Sequence, residues 1–157
     1  MKKHILLFTV FVICSSFISG QKSGLGLGLM LGEPSGLAGK YWLSENNALD
    51  FGIGAGFLGD NSGFAFHADY LYHMNDLINW KYKTIFYYGF GIRMRFPSDS
   101  STTLGVRGVA GILMVIKNLP IDMFFELAPS FRLLPTTGLD FDMAIGGRYY
   151  FKLLIIK

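Results

Sequence analysis

The sequence predicts an all-β protein, an eight-stranded antiparallel up-and-down transmembrane β-barrel, and three observations support this fold class. Apolar residues alternate with glycine in the run from Leu25 to Leu31, and a period of two is that of a β-strand. Similar runs recur along the chain, separated by short segments rich in Pro, Gly, Asn and Ser. Charged residues gather on one face of these runs, opposite an apolar face. Glycine and charge opposite Leu are typical of a barrel whose apolar face meets lipid.

The first four predicted strands are separated by residues typical of turns. The glycine and leucine alternation ends at Glu33-Pro34-Ser35-Gly36, and the second run ends at Ser44-Glu45-Asn46-Asn47. The third run, in which Leu49 to Phe57 alternate with glycine and Asp50, ends before Gly59-Asp60-Asn61-Ser62-Gly63. The fourth, rich in Phe and Tyr, stops at the segment from Met74 to Asn79. We place these strands at Ser23–Gly32, Leu37–Leu43, Ala48–Phe57 and Phe64–His73.

The last four predicted strands are longer and carry more charge. Their breaks are the segment from Pro97 to Thr102, Lys117-Asn118-Leu119-Pro120, and the segment from Leu134 to Gly138. Pro129 falls inside the seventh run, and since proline cannot donate to a strand ladder, we expect a bulge there near the barrel rim. We place these strands at Lys81–Phe96, Thr103–Ile116, Ile121–Leu133 and Leu139–Phe151.

The charged face of the strands is predicted to line the barrel interior. No charged residue falls on the apolar face, even in the fifth, seventh and eighth strands, which each carry several charges. Unpaired charges are costly in a narrow lumen, so acids and bases there have to pair. The predicted lumen ion-pair network consists of Lys40, Asp50, Asp69, Arg93, Arg95, Arg107, Asp122, Glu126, Arg132, Asp140, Asp142 and Arg148.

The N-terminal segment predicts export. Lys2 and Lys3 precede an apolar run that is too short to span a bilayer, and Gly20 supplies a small residue at the expected cleavage point, which is the pattern of a secretory signal peptide. We therefore predict a signal peptide at residues 1–20 and a barrel domain at residues 21–157. Cys14 is the single cysteine of the chain, so the exported domain is predicted to hold neither a disulfide nor a thiolate metal site.

The charge balance argues against a nucleic-acid partner. Two of the 14 Lys and Arg residues and none of the 11 acids precede residue 21, so the exported domain carries a net charge of about +1, without the basic excess that nucleic-acid binding requires.

Aromatic residues give an independent indication of the membrane boundary. With both termini on the periplasmic side, the ends of the second, fourth and eighth strands and the start of the fifth lie on one rim. Trp and Tyr prefer the headgroup level of a bilayer, and they are concentrated at these places. The predicted aromatic girdle consists of Tyr41, Trp42, Tyr72, Trp80, Tyr82 and Tyr149.

The segment Ala144-Ile145-Gly146-Gly147-Arg148-Tyr149-Tyr150-Phe151 is similar to the C-terminal assembly signal of outer-membrane proteins. Gly146 takes the position of the signal's glycine, and Tyr149 and Phe151 take its large apolar positions. Ala144 stands where a polar residue is usual, and six residues follow Phe151. With this segment, the exported chain resembles the small outer-membrane β-barrels of the OmpA/OmpX type and a related group of short exported barrels of unassigned function. The resemblance implies the outer membrane as location, membrane lipid as surroundings and the outer-membrane assembly machinery as a transient partner of a monomer.

Other candidate sites are weighed against simpler roles. Gly24-Leu25-Gly26-Leu27-Gly28 is not followed by a helical pattern, so we do not interpret it as a phosphate loop. His67 and Asp69 lie on one face of the fourth strand, and we expect a hydrogen-bonded pair in the lumen. A catalytic base would need a nucleophile within reach, and Ser62 and Ser130 are candidates only by their proximity to strand ends. We expect His73 on the side of the strand opposite His67, so no shared metal ion. No cofactor, metal or catalytic residue is predicted.

The function class that follows is a non-enzymatic outer-membrane barrel with a plugged lumen and a structural or surface-interaction role. The loops after the first, third, fifth and seventh strands are short, which leaves little surface for a large partner. Two alternatives stay open: a lipid A-modifying outer-membrane enzyme, and a soluble exported lipocalin-like carrier whose apolar face encloses a ligand.

Overall fold

The computed structural model describes residues 24–56, 63–79, 83–98 and 101–151. These residues form an all-β fold of eight antiparallel strands that close into a barrel, as the sequence predicts. The predicted signal peptide and the residues after Phe151 lie outside the described residues. The strands are β1 (Leu25–Gly32), β2 (Ser35–Trp42), β3 (Asn47–Gly56), β4 (Gly63–Asn79), β5 (Lys83–Pro97), β6 (Thr103–Val115), β7 (Ile121–Leu134) and β8 (Gly138–Phe151).

Each strand pairs with its neighbours in sequence, and β8 returns to pair with β1. The closing pair runs in register from Leu25 opposite Phe151 to Gly32 opposite Ala144. Closure gives the backbone N–H and C=O groups of every strand a partner on both sides, so no sheet edge is left open. In the described segments, no helix has the length and apolar character needed to cross a membrane.

The predicted and observed strands agree within two residues at most ends, and the exception is β4. We predict its end at His73, followed by a turn, but the strand continues to Asn79, which pairs with Lys83 of β5. The predicted turn is therefore wrong, and the polar residues after Met74 belong to an extended hairpin. A register irregularity between Met74 and Ile78 breaks the alternation there, which is why the period of two does not reveal the extension.

The bulge expected at Pro129 is also absent from its predicted place. Pro129 lies opposite Phe141 in an unbroken β7–β8 ladder, and the β6–β7 register is the same on either side of it. The register of β6 and β7 shifts instead between Leu104 and Gly105, at the end of the two strands that lies away from their connecting turn. Proline lacks an N–H but keeps an extended backbone, so the strand passes through it without gaining a residue.

The barrel has an apolar outer face, and its interior holds charged groups beside a cluster of buried apolar side chains. Among the outward side chains, Leu139 is 82% exposed and Phe90 is 71% exposed. Among the inward side chains, Lys40 is fully buried and Arg148 is 2% exposed. The side-chain alternation of the strands thus places charge where a water-soluble protein has its hydrophobic core.

Candidate functional site

The barrel interior is the one place where the described chain concentrates chemically active groups. Seven of the eight strands, all except β1, contribute at least one inward charged side chain. Each of the predicted network residues takes part in at least one ion pair there. These residues are Lys40, Asp50, Asp69, Arg93, Arg95, Arg107, Asp122, Glu126, Arg132, Asp140, Asp142 and Arg148.

Asp142 is the centre of the ion pairs at the end of the barrel where β7 turns into β8. Its carboxylate lies 3.1 Å from Arg93 Nε and accepts a hydrogen bond of 2.8 Å from Arg95 Nη2. Arg107 Nη1 lies 3.8 Å away. Asp140 continues the cluster outward, because it accepts from Arg93 at 3.1 Å and lies 3.7 Å from the half-buried Arg132. One carboxylate thus lies beside three guanidinium groups from two strands.

Arg107 connects this cluster to the middle of the barrel. It donates from Nη2 to Glu126 Oε1 at 2.9 Å, and its Nε lies 3.4 Å from Asp69 Oδ1. The other oxygen of Glu126 accepts a hydrogen bond of 3.2 Å from the hydroxyl of Tyr87. Side chains of β4, β5, β6 and β7 therefore meet around one guanidinium.

A second cluster forms around Arg148. Its guanidinium donates to Asp50 and, from Nε at 3.0 Å, to Asp122. The hydroxyl of Tyr150 donates to the remaining oxygen of Asp122 at 2.5 Å, and the ring of Phe124 lies 4.2 Å from the guanidinium carbon. This fully buried arginine thus joins β3, β7 and β8 by charge-assisted hydrogen bonds, which are stronger than neutral ones.

Lys40 lies in an aromatic box at the opposite end of the interior. Its Nζ is 3.7 Å from Asp50, 3.1 Å from Nε2 of His73 and 4.7 Å from the centre of the Tyr87 ring. The ring of Trp42 packs on His73 with centroids 4.4 Å apart. Cation–π and hydrogen-bond contacts thus replace the water that the ammonium loses on burial.

Glu33 is an interior residue that we predict in a turn. It lies after the last residue of β1, yet its carboxylate is buried and accepts a hydrogen bond of 2.7 Å from Arg95. The reason is Gly32, whose φ of 141° reverses the inward and outward phase of β1 while the N–H of Glu33 still bonds to Met143 of β8. Beyond such a glycine, the alternation of the strand no longer predicts which side chains point inward.

The predicted girdle residues fall in three groups. Tyr41, Tyr72 and Tyr149 are exposed on the outer face. Trp42 is a correction: it is 6% exposed and points inward, because it lies two residues after Lys40 and so shares its face. Trp80 and Tyr82 lie outside the described residues.

The residues of the proposed assembly segment lie on β8 where it closes the barrel. Tyr149 and Phe151 point outward, and their ring centroids are 5.0 Å apart. Gly146 lies opposite both Met30 of β1 and Phe124 of β7. A Cβ at this position would approach the Phe124 ring and the carbonyl of Leu29 to about 2.5 Å, so the close approach of the three strands requires glycine.

The two histidines of β4 are placed differently from what we predict. His67 and His73 both point inward, since an even separation of six residues keeps them on one face. Nε2 of His67 lies 3.8 Å from Asp69 Oδ2, too far for the predicted hydrogen bond. His73 contacts Lys40 instead, at the far end of the interior. The neighbours of His67 are Asp50 and Asp69, and the three residues bring one potential ligand atom each to within 4.8 Å of one another.

The serines offered as nucleophiles are not joined to a base in the described segments. Ser130 is buried, but its hydroxyl donates to the carbonyl of Ala128 at 3.5 Å. Ser62 lies outside the described residues. Comparison of the chain with protein-family models, with curated proteins and with solved structures found no match.

Proposed function

We propose that this protein is an outer-membrane β-barrel of the small OmpA/OmpX-like kind, with a plugged polar lumen and a structural or surface-interaction role. The observation that carries the proposal is the reversed polarity of a closed barrel. Outward Leu, Phe, Ile, Tyr, Val and Met side chains cover the wall, with at least one on every strand, whereas the charged groups face the axis. In hydrocarbon, a closed barrel satisfies every backbone polar group internally and needs an apolar outer wall.

The ion pairs support a plugged lumen rather than a conducting pore. Eight strands enclose little more than the volume of their own side chains. The guanidinium groups of Arg107 and Arg148 lie across this space and are held by acids from other strands. A water-filled path would require these ion pairs to separate, so we propose that the network fixes barrel closure.

The soluble carrier hypothesis is less well supported. A lipocalin-like protein keeps its apolar side chains inside, around the ligand, whereas large apolar side chains cover the outer face of this barrel and charged groups are buried in its interior. An enzymatic role would need a nucleophile beside a base, and Ser130 donates its hydrogen bond to a backbone carbonyl. We therefore propose a non-enzymatic protein.

Cell fractionation tests the location. We expect the protein in the detergent-extracted outer membrane of a Gram-negative host, with a gel mobility that changes on heating because a closed barrel resists unfolding by detergent. Release with the soluble periplasmic proteins would contradict the proposal and favour the carrier hypothesis.

Lipid analysis tests the enzymatic alternative. Lipid A from cells with and without the protein is compared by mass spectrometry, with expression matched by immunoblot. We expect identical lipid A species. A gained or lost acyl chain that depends on the protein would instead establish the lipid-modifying enzyme.

A further inference from the structure

Two carboxylates face each other in the barrel interior. Asp50 of β3 and Asp69 of β4 lie directly opposite in the strand register, and both are buried. Like charges at directly opposite positions of a sheet destabilise it. Such a pair therefore attracts a cation between the two side chains.

Asp69 is the less well satisfied of the two. Asp50 accepts a hydrogen bond from Arg148. Within the described part of the chain, neither oxygen of Asp69 accepts a hydrogen bond, although the side chain is 2% exposed. The nearest cation is Arg107, whose Nε lies 3.4 Å away and is itself without a hydrogen bond there. A buried carboxylate that lacks hydrogen bonds is costly, so this group has free coordination capacity.

His67 supplies a third donor from the same side. Its Nε2 lies 3.8 Å from Asp69 Oδ2, and the imidazole packs over Gly52, where a Cβ would come within 2.6 Å of Nε2. A Cβ at Gly91 would similarly overlap Asp69 Oδ1. Two glycines thus leave space for the side chains of this group.

We propose that Asp50, His67 and Asp69 form a binding site for a divalent transition-metal ion such as Zn²⁺. One imidazole and two carboxylates suit zinc and its neighbours, whereas calcium and magnesium prefer oxygen ligands alone. Ligand atoms around tetrahedral zinc lie about 3.3 Å apart, so ligand atoms now within 4.8 Å of one another have to move closer by up to about 1.5 Å. The site does not depend on the membrane location proposed above.

Zinc binding by the purified, refolded barrel in detergent tests this site, with zinc chloride as the only added metal. The protein is first treated with chelator, then incubated with zinc chloride and dialysed. We expect one zinc per chain by elemental analysis and a rise in unfolding temperature with zinc concentration. Asp69→Asn and His67→Gln are each expected to weaken zinc binding by about 10- to 100-fold or more.

The matched controls remove the same groups elsewhere in the interior. Asp140→Asn loses one interior carboxylate, and His73→Gln loses the other inward histidine of β4; both variants are expected to bind zinc as the unchanged protein does. Equal binding by all four variants, or no stoichiometric binding by the unchanged protein, would overturn the proposal.

Cobalt gives a readout that needs no variant. Co²⁺ bound to the unchanged protein should show the intense visible absorption of low-coordinate cobalt, and zinc should abolish it. A spectrum no different from that of Co²⁺ in buffer would also overturn the proposal, even if the Asp69 and His67 variants do not fold.

Discussion

At the scale of single residues, several interior charges are stabilised by more than one oppositely charged partner. Arg148 has two carboxylate partners and Asp142 has three guanidinium neighbours. Removing one member of a buried ion pair leaves its partner without compensation, which is far more costly than the net stability that the pair provides. Substitutions that remove a single interior charge therefore test the network directly.

Glu126→Ala is expected to destabilise the barrel by about 3 kcal/mol. The substitution takes away the 2.9 Å hydrogen-bond partner of Arg107 and the partner of the Tyr87 hydroxyl. The measurement is the free energy of unfolding in urea for the refolded protein. Glu45→Ala, at an exposed position in the β2–β3 turn, is the control and should change stability by less than about 0.5 kcal/mol. Equal stability of the two variants would contradict a stabilising network.

Gly91→Ala is expected to lower stability by about 1–3 kcal/mol. The new Cβ would overlap the Asp69 carboxylate and the carbonyl of Ala68. Gly108→Ala on the neighbouring strand is the control, since a Cβ there meets nothing within 4 Å, and it should be neutral or slightly stabilising. Urea unfolding of both variants checks this, and a neutral Gly91→Ala would contradict the close approach of β4 to β5 at this position.

At the scale of strands, the period of two continues through Pro129, but it is reversed at Gly32 and interrupted between Met74 and Ile78. Up to Met74 in β4 and in the other seven strands, it separates the apolar outer face from the charged inner face, because one misplaced residue would put charge on the wall. Strand ends are less well determined, since β4 extends through Asn79 by pairing with β5. The sequence resemblance also predicts an assembly signal in the last strand, β8.

Phe151→Ala is expected to reduce outer-membrane assembly in cells without changing refolding in detergent. The aromatic ring lies on the outer face of β8, where the assembly machinery would bind it, and it contributes little to the interior. Phe141→Ala, which also removes an outward ring of β8, is the control. Heat-modifiable protein in membrane fractions is the measurement in cells, and equal loss in both variants would contradict a specific signal at Phe151.

At the scale of the whole molecule, closure and reversed polarity act together. The ladder between β1 and β8 leaves the sheet without a free edge. The apolar wall then determines in which solvent the barrel is stable. In a bilayer, a charge on this wall is expensive, whereas in water it would be harmless.

Phe90→Arg is therefore expected to cost about 2–4 kcal/mol for folding into lipid vesicles. Phe90 lies in the middle of β5 and is 71% exposed. Leu119→Arg, in the exposed β6–β7 turn, should cost less than about 1 kcal/mol. Unfolding in urea from vesicles compares the two variants. An Arg at position 90 that costs nothing, or that improves solubility without lipid, would contradict the membrane proposal.

The sequence by itself determined the number of strands, their faces and the identity of the interior charges, because side-chain alternation in a strand is fixed by the backbone. It did not reveal Glu33, since Gly32 reverses the phase, nor the inward position of Trp42. Only the tertiary structure decided which acid meets which base. Partners such as Asp50 and Arg148 are 98 residues apart in the chain, and strand tilt and closure, which no local pattern encodes, bring them together.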